Sequence, residues 1–175
     1  MKLLVLIWRS LAVIALILMI LPFAWEKITG DYFMVVSGES MTPTYEIGDV
    51  LAVQKPTGDE LTRDGLIVVV SMTPGNKDEQ YVHRVLSHDA TGATLKGDGN
   101  KSADPAPVTQ DLVMGTPRFA LQGGLSDAFR FVESWGGRIL TGLFAVPAFL
   151  VTWRRRKTDD VDHIDTPLER KAQLA

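Results

Sequence analysis

The chain has 175 residues, 46% hydrophobic and 22% charged, the make-up of an ordinary globular domain. Its charge is segregated: residues 1–25 carry +2, 26–136 carry −7 and 137–175 carry +2, for a net −3. An acidic middle excludes a nucleic-acid binder, which needs a basic face for phosphates. Zero cysteines exclude disulfides, thiolate metal sites and a thiol nucleophile, and with three histidines no metal or organic cofactor is expected.

The first predicted element is an apolar helix over 3–25. Ser10–Trp25 (SLAVIALILMILPFAW) carries no charge, and Leu3–Trp8 extends the run beyond Arg9, which can snorkel to the headgroups. About 20 apolar residues cross a bilayer core of roughly 30 Å, so the helix reads as a membrane anchor. The alternative, a cleaved signal peptide with Lys2 to Arg9 as its basic region, lacks an A-x-A site after the run.

Residues 26–136 read as a β-rich domain. Short strands are expected at Tyr32–Val36, Asp49–Val53, Leu66–Val70, Tyr81–Leu86, Ala93–Lys96 and Leu112–Met114, with turns at Gly58-Asp59, Pro74-Gly75-Asn76, Thr91-Gly92 and Gly97-Asp98-Gly99-Asn100. GLIVVV is apolar at every position, so it predicts a central strand buried on both faces. A helix is expected over Leu125–Trp135, capped by Ser126, with Phe129, Val132 and Trp135 on one face.

A second transmembrane or re-entrant helix is expected at 139–153 (ILTGLFAVPAFLVTW), whose 15 residues rise only about 22 Å. Arg154-Arg155-Arg156-Lys157 follows, opening a basic, polar tail over 154–175 that is expected to be disordered past Lys157. With positive residues at both ends, both termini belong in the cytoplasm and the β domain outside it. His163 then lies on the wrong side to join its chemistry.

Three stretches of the β domain carry candidate chemistry: VSGESMTPTYEIGDV around Ser40, YVHRV around His83, and LKGDGN with Asp98, followed by Asp104. Each alone has a bland reading as a satisfied turn or a half-buried strand residue. Together they are the ingredients of Ser–His–Asp hydrolysis, in which an acid orients the base that activates a serine. A lysine base would have to be Lys77 or Lys96, both in turn regions, and Arg84 does not deprotonate. His88 is the other candidate base and reads as a solvent-facing loop residue.

In register from about Ser37 to Gly115, these motifs resemble type I signal peptidases. The Ser-Met pair with a following Pro and Gly-Asp is similar to their nucleophile motif. YVHRV resembles the next motif in the subtype where histidine replaces the general-base lysine, typical of the endoplasmic reticulum complex, archaea and some Gram-positive bacteria. LKGDGN with a second Asp six residues on is similar to the following motif of that subtype. The resemblance implies a mainly β peptidase domain anchored by N- and C-terminal transmembrane helices. It implies Ser40 as nucleophile, His83 as general base, Asp104 as acid partner and Asp98 as a second acid shaping the site. Spacing leaves open which aspartate touches His83; the family pattern favours the later one.

The implied substrates are the signal peptides of preproteins, their small residues before the cut held in apolar pockets lined by Val35, Val36, Met41 and the GLIVVV strand. Implied partners are the lipid bilayer and, beyond it, accessory membrane subunits or the secretion translocon; a bacterial cell membrane is the expected location. Many relatives carry a hydroxyl residue two positions before the nucleophile, where this chain has Gly38, so the Ser40 backbone N–H becomes the natural oxyanion donor. The opposing readings are a membrane-anchored, non-catalytic β-domain binding or scaffold module (an inactive peptidase relative) and a soluble self-cleaving regulator. The apolar runs and the lack of a DNA-binding segment disfavour the regulator.

Overall fold

The computed structural model describes residues 2–159, with side chains for 3–150. Contacts divide the chain into two units, Leu21–Val132 and a second made of Met1–Ile20 with Glu133–Ala175.

Helix α1, Lys2–Thr29, outruns the expected 3–25 by one residue at its start and four at its end. It stops at Gly30, whose φ of +74° suits glycine and whose N–H reaches Glu26 O at 2.9 Å. Just past it, Asp31 is 1% exposed, with Arg118 Nε donating at 2.7 Å and Trp25 Nε1 at 3.2 Å. The Arg118 hydrogen bond holds this carboxyl below its usual range.

Six strands follow in one antiparallel sheet of order β1-β2-β6-β3-β4-β5: β1 Tyr32–Val35, β2 Val50–Gln54, β3 Ile67–Ser71, β4 Gln80–Asp89, β5 Gly92–Lys96 and β6 Val113–Leu121. β3 lies inside the sheet, and its side chains alternate between two cores. Val68 and Val70 join Val85, Leu95 and Val113 on one side; Val69 joins Met34, Val36, Met41, Leu51 and Val82 on the other. That is why GLIVVV needs no polar face.

The expected sixth strand over Leu112–Met114 is too short. β6 runs to Leu121, pairing first with β3 and then with β2, with register shifts in both ladders. The shift from one partner to the other needs Gly115, where a Cβ would fall 1.9 Å from Gln54 O.

Helix α2, Gly124–Glu133, covers most of the expected Leu125–Trp135 element. Ser126 lies inside it, its hydroxyl donating back to Gly123 O, and Phe129 packs on Phe33 with ring centres 4.8 Å apart. Trp135 is a correction: it opens helix α3, Trp135–Asp159, and is 80% exposed.

In the other unit, α3 packs on the first part of α1 through Ala12, Ala145 and Ala148, flanked by Trp8 and Leu16. Leu3, Leu4, Ile139 and Leu143 stay exposed. Among the described residues only Leu3–Thr29 is long and apolar enough to cross a membrane; the apolar part of α3, Trp135–Leu150, is shorter. The expected tail falls outside the described residues from 160 onward, His163 included, while 158–159, expected disordered, are helical.

Candidate active site

Ser40 sits on the loop between β1 and β2. Met41 beside it is fully buried in the core, and the loop closes on itself through Thr42 N–H to Glu39 O at 3.0 Å and Tyr45 N–H to Met41 O at 3.0 Å. Buried Asp49 accepts from Glu46 N–H and Gln122 Nε2, each at 2.9 Å, tying the loop's far end to the segment after β6. These anchors leave Ser40 half-buried, its hydroxyl and N–H without a hydrogen-bond partner among the described residues.

His83 is on β4, on the same side of the strand as Val85, and is 7% exposed. Its Nδ1 lies 2.8 Å from Asp104 Oδ2. The edge of Tyr81 meets the His83 ring at 5.0 Å, one position of strand alternation away. Asp104 is held where its N–H bonds Leu95 O at 2.8 Å, on a loop that returns beside β5 through an Ala93–Val108 bridge.

The Gly97–Asn100 turn joins the two. Gly99 N–H donates to Ser40 O at 2.8 Å. A Cβ on Gly97 would lie 2.3 Å from Ser40 O and 2.9 Å from His83 Nε2, so these two groups are within about 5 Å of each other. A Cβ on Gly99 would meet Glu39 O at 2.8 Å. The turn therefore uses glycine on both sides of Asp98 because the Ser40 loop lies flat against it.

Asp98 points elsewhere. It takes Arg84 Nε at 2.8 Å and Nη2 at 2.6 Å, with Thr44 Oγ1 donating to it as well. The Arg84 bonds, aided by Thr44, lower its pKa although burial opposes them. Asp104 is thus the aspartate at His83, and Asp98 ties β4, the turn and the Ser40 loop together. Arg84 and Thr44 were not foreseen as parts of this tie; the only signal was Arg84 beside His83 with an acid in the facing turn.

Of the expected pocket-lining residues, Val35 is 47% exposed, whereas Val36 at 4% and Met41 at 0% are core members and offer a peptide no surface here. β3 is equally closed at Val68, Val69 and Val70. Two open hollows flank the site instead. One, about 740 Å³, is lined by Glu39, Ser40, Thr42, Glu46, Ile47, Gly99 and Asn100. The other, about 360 Å³, is lined by Met72, Tyr81, His83, Asp104, Pro105 and Ala106. His88, expected in a loop, belongs to β4 and pairs with Asp64 at 2.9 Å on the surface. Among the described residues no three His, Cys, Asp or Glu cluster to hold a metal ion.

A serine, a histidine and an aspartate brought together on a β sheet by three separate segments are the parts of a hydrolase. The model of the Peptidase S24-like family matches residues 17–136, from within α1 to the start of α3. The chain belongs to that family. It therefore has a serine-peptidase fold, one shared by LexA-type proteins and signal peptidase relatives. None of the curated proteins compared with this peptidase matches it.

Proposed function

We propose that this peptidase is a membrane-anchored signal peptidase of the Ser–His type, cutting signal peptides from preproteins. The observation that carries this reading is the buried His83–Asp104 pair with Nε2 within about 5 Å of Ser40 O. Asp104 accepts a hydrogen bond from His83 Nδ1–H and so leaves Nε2 free to act as base. Ser40 Oγ attacks the scissile carbonyl carbon and its proton passes to His83 Nε2. The unpartnered Ser40 N–H faces the developing oxyanion, the kind of donor whose removal costs about 10²–10³ in turnover elsewhere. When the C–N bond breaks, His83 returns the proton to the leaving amine, and water then hydrolyses the Ser40 ester by the same route in reverse.

The long apolar α1, directly before the β domain in the sequence, supports cutting beside a bilayer. The alanine-lined packing of α3 on α1 resembles close membrane-helix contacts and supports α3 as a second span; the basic residues at both ends of the chain support cytoplasmic termini and a β domain outside. In detergent or lipid, the purified chain should cut a preprotein after a small residue, and Ser40→Ala should abolish cutting. His83→Lys tests whether a lysine serves in the same slot. Cleavage of the chain itself and nothing else would favour the self-cleaving reading; no Ser40-dependent cutting at all would favour the binding module.

A further inference from the structure

We propose that the hollow of Met72, Tyr81, Pro105 and Ala106 is the subsite for the substrate side chain just after the cut, and that it selects apolar residues there. The inference rests on the proposed peptidase activity and adds a preference on the leaving side of the bond. Its premise is chemical. The group that protonates the leaving amine stands next to the first residue of the departing chain, and that group is His83. His83 and Asp104 form one wall of this hollow, and the remaining four lining residues are Met72, Tyr81, Pro105 and Ala106.

Met72 is the second observation. It is 73% exposed just past the end of β3, a strand whose own apolar side chains are buried or half-buried. Pro105 and Ala106, exposed on the opposite loop, follow directly on Asp104. No core role accounts for these three, whereas a side chain laid between them would lose its water. At about 360 Å³ the hollow admits a leucine or a phenylalanine. The Ser40 hollow, bearing Glu39 and Glu46, differs in character, so the two sides of the scissile bond meet different chemistry.

The test uses the full chain in detergent with one preprotein carrying Leu, Lys or Asp at the first residue after the cut. The intact enzyme is expected to cut the Leu form at about tenfold higher kcat/KM than the Asp form. Met72→Asp should favour Lys over Asp, and Met72→Lys should favour Asp over Lys; opposite shifts from two polar replacements cannot come from misfolding. The acyl-enzyme should also be intercepted better by leucinamide than by asparaginamide, since an incoming amine uses the same subsite. Ser40-dependent cutting that ignores both the residue and the Met72 charge overturns this inference and leaves the peptidase standing. Absence of Ser40-dependent cutting overturns both.

Discussion

One strand carries two histidine–aspartate pairs that differ in almost everything but length. His83 Nδ1 meets Asp104 at 2.8 Å, and five residues on His88 Nδ1 meets Asp64 at 2.9 Å. The first pair is 9% and 15% exposed; the second is 41% and 60% exposed. Water screens the second, and exposed pairs of this kind contribute roughly 0–1 kcal/mol. The first is enclosed, and the other nitrogen of its ring lies near Ser40 O. A histidine–carboxylate hydrogen bond is therefore no mark of catalysis; burial and what the second nitrogen faces make the difference.

The largest effect expected from breaking this contrast is at Asp104. Asp104→Asn should reduce kcat by about 10⁴-fold by favouring the wrong tautomer, the size seen when an orienting acid is amidated in other serine hydrolases. Asp64→Asn should change kcat less than twofold in the same preprotein assay. Next comes the turn: Gly97→Ala forces a methyl against the Ser40 backbone oxygen and His83 Nε2, and a loss of about 10² in kcat/KM together with a lower melting temperature is expected.

The acid limb of stability sharpens the comparison further. Asp98 is held low chiefly by Arg84, so its contribution is complete above the unfolded carboxylate range near 4 and fades as pH falls through it. Arg84→Gln should lower stability at pH 7 by about 1–3 kcal/mol and flatten the loss below pH 4, measured by denaturant unfolding at several pH values. The smallest effect expected is a gain. Gly38 has open space where a Cβ would stand, and Gly38→Ser should raise kcat severalfold if its hydroxyl joins the Ser40 N–H.

Much of the fold was legible because its strands announce themselves. Val68 to Val70 and Val50 to Val53 are continuous apolar runs between turn residues, and each became a strand within one residue of its expected start. β6 was hidden past Met114 because Pro117 and Arg118 break the pattern, and only the register shift beside β2 accommodates them. Glu26 and Lys27 hid the last turn of α1 in the same way. At the site, Ser40, His83 and the two aspartates stood out by residue type, and the family resemblance put Asp104 at His83, but spacing alone left open which aspartate it was. That depends on Arg84 reaching across to Asp98 and on Asp104 being held at Leu95, contacts between segments that spacing does not encode. Val36 and Met41 were misread because apolar residues beside a nucleophile suit a pocket and a core equally well.

Met41 carries one more consequence. Ser40 hangs from the hydrophobic core by a single peptide link, since its neighbour is wholly enclosed among Met34, Leu51 and Val82. Such a loop has no private route to open: releasing Met41 means dissolving the core around it. The Thr42 amide proton, bonded to Glu39 O, should therefore trade with solvent on the timescale of the whole sheet, and heat should displace Ser40 and melt the domain as a single event.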